Sequence, residues 1–276
     1  MNAVIKLSSP DTHQYWEIPV LYEDEHLLAL DKPAGVPLAR DAQKPGTPSL
    51  AELLRGGIQR GAAWSREQGR DYLATSQRLD IEASGLVLLA KSKPVLITLL
   101  NAFGSEQPGR SYVALVQGTP AEEKFRNGAK LAANPVMPGA FRVDPHRGKR
   151  SLTAFEVAEK FDGWTLMNCE ALTDRKHQVR VHLRNLGLPL AGDELYGGKQ
   201  LLLSRLKSNY RLKPDRTERP LMDRPALHAD SLALPHPVTG AELKIVAPWP
   251  KDLTVAVKYL RRYAGGQSPA PAAEGD

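Results

Sequence analysis

The chain has 276 residues, a formal net charge of +6 and one cysteine. At about 150 residues per domain the length admits one or two domains with a sizeable core, and 42% hydrophobic with 25% charged residues excludes general disorder. The lone Cys169 excludes an internal disulfide and a cysteine-rich zinc site, and no apolar run reaches the ~18 residues a membrane helix needs.

Residues 1–15 are polar, lack an apolar signal-peptide core and read as a flexible lead-in. Ile18–Tyr22 and Leu27–Ala29 are short strands, closed by the turn Lys32-Pro33-Ala34-Gly35. Ser49 with Glu52 forms a capping box that opens a helix over Leu50–Ile58, and 61–69 is loop. The run Gly85–Ala90 has strand length and no polar face, so it is buried on both sides. Pro94 opens a helix with Leu96, Leu99, Leu100 and Phe103 on one face. Ser111–Val116 is a strand, and 118–150 is a long connection or irregular hairpin. Leu152–Ala158 and Trp164–Ala171 are strands joined by an Asp162-Gly163 turn. Arg175–Asn185 is a helix with a Val179/Leu183/Leu186 stripe, ended by Gly187. A short helix follows over Lys199–Lys207, then strands Ala226–Leu234 and Glu242–Val246, then a helix from Asp252 to Tyr263. Residues 265–276 have no hydrophobic pattern and are expected to be disordered. Hairpins mixed with helices predict an α+β fold rather than a doubly wound parallel sheet.

Two stretches concentrate polar groups. Gln77–Leu86 sets Arg78 and Asp80 just before a buried strand, so Asp80 is either a solvated loop residue or a group beside a cleft. Leu172–Leu183 carries Arg175, His177, Gln178, Arg180 and His182 on a helix whose apolar stripe packs inward. Those polar groups either flank an anion-binding groove or form a solvated basic face. His177 and His182 are five apart rather than four, so they are not the usual helical zinc pair. No nucleotide, dinucleotide or metal motif occurs, and no metal or cofactor is expected. The sequence pI of about 9.3 points to an anionic partner, nucleic acid or an anionic membrane surface.

Together, QRLDIEASGLVLLAKS and LTDRKHQVRVHLRNLGLPLAGDELYG resemble the signatures of the RluA-type pseudouridine synthases, H-R-L-D-x-x-T-S-G-L and L-T-G-R-x-H-Q-I-R-x-H followed by G-D-x-x-Y-G. Three further pieces are similar in the same order: VLYEDEHLLALDKPAGVP, RSYVALVQG and LHADSLALPHPVTGAELKIVAPWP. The resemblance spans Ile18 to Pro250. The departures are Gln77 for His, Ala83 for Thr, Asp174 for Gly and Asp31 for Asn.

The resemblance implies one catalytic domain over 16–264, with a mostly antiparallel central sheet, flanking helices and a central cleft. It implies a monomeric, cytoplasmic RNA uridine isomerase acting on ribosomal or transfer RNA, with no membrane partner. Asp80 is then the nucleophile, Arg175 the cation that holds it ionised, and Tyr112 the ring that stacks on the base and helps remove the C5 proton. Arg78 fills the gap left by the flipped uridine, and His177, Gln178 and Arg180 contact substrate. Two competing readings are an RNA-binding module that has lost catalysis, motivated by Gln77 and Ala83, and a glycosidic-bond hydrolase using Asp80 and Glu82 as a carboxylate pair.

Overall fold

A computed structural model describes residues 3–10, 12–41, 46–75, 77–105, 109–212 and 215–265. In chain order these form β1 (Val4–Ser9), β2 (Gln14–Glu23), β3 (Leu27–Lys32), α1 (Leu50–Gln59), α2 (Ala63–Arg66), β4 (Ser84–Ala90), α3 (Lys93–Gly104) and β5 (Gly109–Gln117). There follow β6 (Lys124–Asn127), β7 (Leu131–Ala133), β8 (Phe141–Val143), β9 (Thr153–Phe161), β10 (Trp164–Ala171), α4 (Gln178–Asn185) and a 3₁₀ turn at Glu194–Tyr196. The last are α5 (Leu203–Leu206), β11 (Leu227–Pro235), β12 (Glu242–Val246) and α6 (Lys251–Tyr263). Where a single body over 16–264 was expected, the chain divides into two compact units. Unit 1 holds residues up to Ser111, Leu172–Lys176 and Ala229–Pro248, and unit 2 holds the remainder.

In unit 1, β1 to β4 form consecutive antiparallel pairs, and β11 pairs antiparallel with β12. Strands β3 and β4 alternate their residues between two cores. Leu28, Leu30, Val87 and Leu89 pack with Ile5, Leu7, Ile18 and the α1 residues Leu50, Leu53 and Leu54. Leu27, Ala29, Leu86 and Leu88 pack with Val95, Leu99 and Phe103 of α3 and with Leu232 and Leu234. Both faces of β4 are therefore covered, which explains its unbroken apolar run. Each buried leucine contributes about 1.5–3 kcal/mol, so these two layers hold the unit together. The Ser49–Glu52 capping box forms as the sequence predicts.

Within the expected flexible lead-in, Val4–Ser9 forms a strand. Ile5 and Leu7 are buried while Val4, Lys6 and Ser8 are exposed, the period-two pattern of a half-buried strand. β1 pairs residue by residue with β2, from Val4 opposite Pro19 to Ser9 opposite Gln14. On α3 the buried face is Val95, Leu99 and Phe103, and Leu100 faces out.

In unit 2, β9 pairs antiparallel with both β6 and β10. The Asp162-Gly163 turn joins β9 to β10, with Gly163 at φ +72°. Val113, Leu115, Phe161 and Leu166 bury one face against Leu253, Ala256, Val257 and Leu260 of α6. The stretch 118–150 carries three short strands: β6 joins β9, and β7 and β8 form their own hairpin. The helix expected over Lys199–Lys207 shrinks to Leu203–Leu206. Residues 266–276, most of the expected disordered tail, lie outside the described residues. The α+β class with mostly antiparallel strands and flanking helices is as expected. No helix among the described residues is long and apolar enough to cross a membrane.

Candidate active site

The turn carrying Asp80 is fixed by a second turn far away in sequence. The Ile81 carbonyl, one residue after Asp80, accepts from the Gly35 N–H at 2.7 Å and from Lys32 Nζ at 3.3 Å. Lys32 is fully buried and also donates to the carbonyls of Pro33 at 2.9 Å and Val36 at 3.0 Å. The Lys-Pro-Ala-Gly turn thus folds around its own lysine, and Gly35 takes the left-handed φ of +86° that the turn requires. The Ala83 N–H closes the Asp80 turn onto the Asp80 carbonyl at 3.2 Å. Gln77 Oε1 accepts from the Leu88 N–H at 2.5 Å, so the amide at this position braces the segment against β4. Asp80 is half-buried and Arg78 is exposed. Just beyond, Gly85 at φ +112° lets the β11 backbone approach: a Cβ there would lie 2.3 Å from the Ala229 carbonyl oxygen.

Arg175 does not sit on a helix. His177 adopts φ +58°, and this left-handed residue starts α4 at Gln178, leaving Arg175 on an irregular segment of unit 1. Arg175 Nη1 donates back to the Asp174 carbonyl at 3.0 Å. The Asp174 carboxylate pairs with Arg110 Nη1 at 3.1 Å, and Arg110 lies 5.5 Å over the Phe103 ring. Burial pushes the Asp174 carboxyl above the usual carboxylate range, against the opposing fields of Arg110, Arg78 and Arg175.

Tyr112, His177, Gln178 and Arg180 belong to unit 2. Tyr112 is half-buried and lies two residues after Arg110, on the same face of β5. Helix α4 is neither a solvated basic face nor the wall of a groove, since Gln178 to Leu183 are all buried. Gln178 Nε2 donates to the Leu152 carbonyl and to Thr153 Oγ1, both at 3.0 Å. Arg180 makes a bidentate pair with Asp193, Nε and Nη2 each at 2.8 Å, and stacks 5.0 Å over the Tyr196 ring. The Phe141 N–H donates to the Tyr196 oxygen at 2.9 Å, and the same hydroxyl hydrogen-bonds His177 Nδ1 at 2.8 Å. Buried His182 bonds Thr153 Oγ1 through Nδ1 at 2.8 Å and the Ala129 carbonyl through Nε2 at 3.0 Å, and burial lowers its pKa.

These contacts give Gln178 and Arg180 a bracing role that the expectation of substrate contact did not include. Sequence reasoning missed their partners Asp193 and Tyr196, although the spacing G-D-x-x-Y-G carried both. It also gave no role to Arg110, although the piece RSYVALVQG begins with it. Among the basic side chains clustered over 124–150 and 205–224, Arg224 is pinned by a bidentate pair with Asp252 at 2.7 and 3.0 Å, and Lys213 lies outside the described residues. Lys124 and Arg142 pair with Glu156 and Asp144. Arg126, Lys130, Arg147, Lys149 and Arg150 are exposed. The described residues contain no group of three or more His, Cys, Asp or Glu side chains arranged for a metal ion.

Residues 26–185 match the family of RNA pseudouridylate synthases. The chain is 32% identical over 242 residues to an uncharacterised RNA pseudouridine synthase of Mycobacterium bovis, covering 88% of this chain and 72% of that protein. It is 32% identical over 247 residues to the ribosomal large subunit pseudouridine synthase C of Salmonella typhi, covering 89% and 70%. It is 31% identical over 280 residues to the ribosomal large subunit pseudouridine synthase D of Xanthomonas campestris pv. campestris, covering 95% and 75%. Among solved structures, human RNA pseudouridylate synthase domain containing 4 shares the fold with a TM-score of 0.66 at 20% identity, covering 91% of this chain and 94% of that one.

Proposed function

The chain belongs to the RNA pseudouridylate synthase family and is an enzyme that isomerises uridine in RNA; on that premise we propose that Asp80 is its nucleophile and Tyr112 and Arg175 its partners in the reaction. The observation that carries this reading is the intact set Arg78, Asp80, Tyr112 and Arg175 within motifs that keep the family's order along the chain. The hydrogen bonds that Lys32 and Gly35 make to the Ile81 carbonyl support it, because a reacting carboxylate needs a fixed seat.

In the proposed reaction the Asp80 carboxylate attacks C1′ of the target uridine. The N1–C1′ bond breaks with its electron pair left on N1. The uracil turns over, C5 bonds to C1′, and the carboxylate is released. The C5 proton then leaves and N1 takes up a proton, so no electrons are exchanged with a redox partner. Arg175 favours the ionised carboxylate. Tyr112 stacks on the base and assists removal of the C5 proton. Extruding the uridine from its stack costs a few kcal/mol, and the planar guanidinium of Arg78 offsets part of that cost by stacking in the hole. His177, Gln178 and Arg180 brace their own segment, through Tyr196, Thr153 and Asp193 respectively.

The relatives named for the large ribosomal subunit make ribosomal RNA the first substrate to test, with transfer RNA as the alternative. The reading places the enzyme in the cytoplasm as a monomer. The test is direct mapping of pseudouridine in large-subunit ribosomal RNA and in transfer RNA, each made without modifications and incubated with the enzyme. New pseudouridine at a defined site in one of them supports the reading. Unmodified RNA in both, together with free uracil or a cleaved sugar, would replace the isomerase with a hydrolase.

A further inference from the structure

We infer that the excursion 128–150, between β6 and β9, is a rigid prong for RNA, with a basic stem that takes phosphate and an apolar tip, Val136-Met137, that packs on bases. The inference rests on the RNA substrate of the function proposed above and adds to it a surface that the proposed chemical step does not use.

The excursion is fastened to α4 at both ends. Asn127 Nδ2 donates to the His182 carbonyl at 3.1 Å. His182 Nε2 lies 3.0 Å from the Ala129 carbonyl and 3.1 Å from Ser151 Oγ, and Gln178 holds the Leu152 carbonyl. Within the excursion β7 pairs with β8, and Leu131 also exchanges backbone bonds with Lys149 at 3.0 and 2.8 Å, so a third segment flanks the hairpin. Leu131 and Ala140 are buried with Val181 of α4 and with Tyr196, and Phe141 and Val143 pack against them. A surface braced this way has little ordering left to lose when it binds.

The outer side is basic along the stem and apolar at the tip. Lys130, Arg142, Arg147, Lys149 and Arg150 are exposed, against one acidic residue, Asp144. That carboxylate is engaged locally: it accepts from the His146 and Arg147 N–H groups at 3.1 and 2.8 Å and pairs with Arg142 at 3.2 Å. At the tip, Asn134 Oδ1 accepts from the Val136 and Met137 N–H groups at 3.0 and 3.2 Å, which fixes the turn. Val136 is 87% exposed, more than any other large apolar side chain among the described residues, and Met137 beside it is 47% exposed. The fixed turn holds both in water, where covering them is favourable. RNA supplies the complement to both parts. Its phosphates meet Lys and Arg, and its unstacked bases offer apolar faces against which such side chains pack or between which they wedge.

The experiment compares wild type with a stem variant, Arg147→Gln/Lys149→Gln, and a tip variant, Val136→Ser/Met137→Ser, all at exposed positions. Lys251→Gln/Lys258→Gln removes the same charge from exposed positions of α6 and controls for net charge. The probes are unmodified large-subunit ribosomal RNA and transfer RNA labelled at uridine C5, with Kd from filter binding across a salt series and KM and kcat from tritium release. The stem variant should bind about five- to tenfold more weakly, with a salt slope shallower by about one to two. The tip variant should bind about three- to tenfold more weakly with the slope unchanged, because the lost contact carries no charge. KM should rise with Kd in both, kcat should stay within about twofold, and the control should match wild type. A benzophenone side chain at Val136 should crosslink to the RNA on irradiation. Wild-type Kd and slope in both variants, an equal loss in the control, or crosslinks only to a second copy of the chain would each overturn the inference. If wild type binds RNA but releases no tritium, the proposed function fails, while the binding and crosslinking comparisons still decide the role of the prong.

Discussion

The Lys32 ammonium reaches the Ile81 carbonyl across 49 residues of sequence, at 3.3 Å. This bond joins the Lys-Pro-Ala-Gly turn to the residue that follows Asp80. Lys32→Met removes a charge from the interior but takes the ammonium from the Pro33 and Val36 carbonyls and leaves Ile81 with the Gly35 N–H. We expect a loss of about 2–4 kcal/mol in urea unfolding. We also expect at least a tenfold drop in kcat with RNA binding retained, because the Asp80 seat loosens while Arg78 and Arg175 remain. A variant with wild-type kcat would show that the Asp80 turn needs no anchor.

Asp31 gives a pH-dependent prediction. Burial raises its carboxyl from 3.8 to about 6, against the opposing pull of Lys32 next to it. A carboxyl whose pKa is higher folded than unfolded costs stability when ionised. That cost is absent below pH 3.8, grows between pH 3.8 and 6, and is complete above 6. Asp31→Asn should therefore stabilise the fold at pH 7.5 by about 1–2 kcal/mol, allowing for solvent screening of a partly exposed group. The gain should shrink as the pH falls toward 4. An equal gain at both ends of the range, read from urea midpoints, would mean that the effect is packing and not charge.

Arg180 separates a brace from a substrate contact. It is 3% exposed and paired through two nitrogens with Asp193, itself 1% exposed. Removing one partner of such a pair leaves a buried charge alone, so Arg180→Ala should cost about 3–5 kcal/mol. The fraction that folds should keep the wild-type salt dependence of RNA binding, since no phosphate contact is lost. A stable variant with a shallower salt slope would restore Arg180 to the RNA surface.

What the sequence made legible was local. The Ser49–Glu52 box, the Asp162-Gly163 hairpin and the apolar run of β4 each depend on residues a few positions apart. β1 was missed because its Ile5/Leu7 alternation is short and flanked by Ser, Pro and His. The start of α4 was misplaced because nothing local forces His177 into the left-handed region, where the Tyr196 hydroxyl holds its ring 19 residues away. Buried Lys32 and Arg110 were illegible for the same reason: a lysine in a turn or an arginine at a strand start looks solvated until its distant acceptors are known. The motifs marked Asp80, Tyr112 and Arg175, but they did not show the buried pair that Arg110 makes with Asp174.

The most direct measurement is tritium release from RNA labelled at uridine C5, run with wild type and Asp80→Asn beside a binding assay on the same RNA. Asp80 as the nucleophile predicts release by wild type, no release by Asp80→Asn, and similar RNA affinity for both. Release by Asp80→Asn at a rate near wild type would contradict it and move the chemistry to another residue.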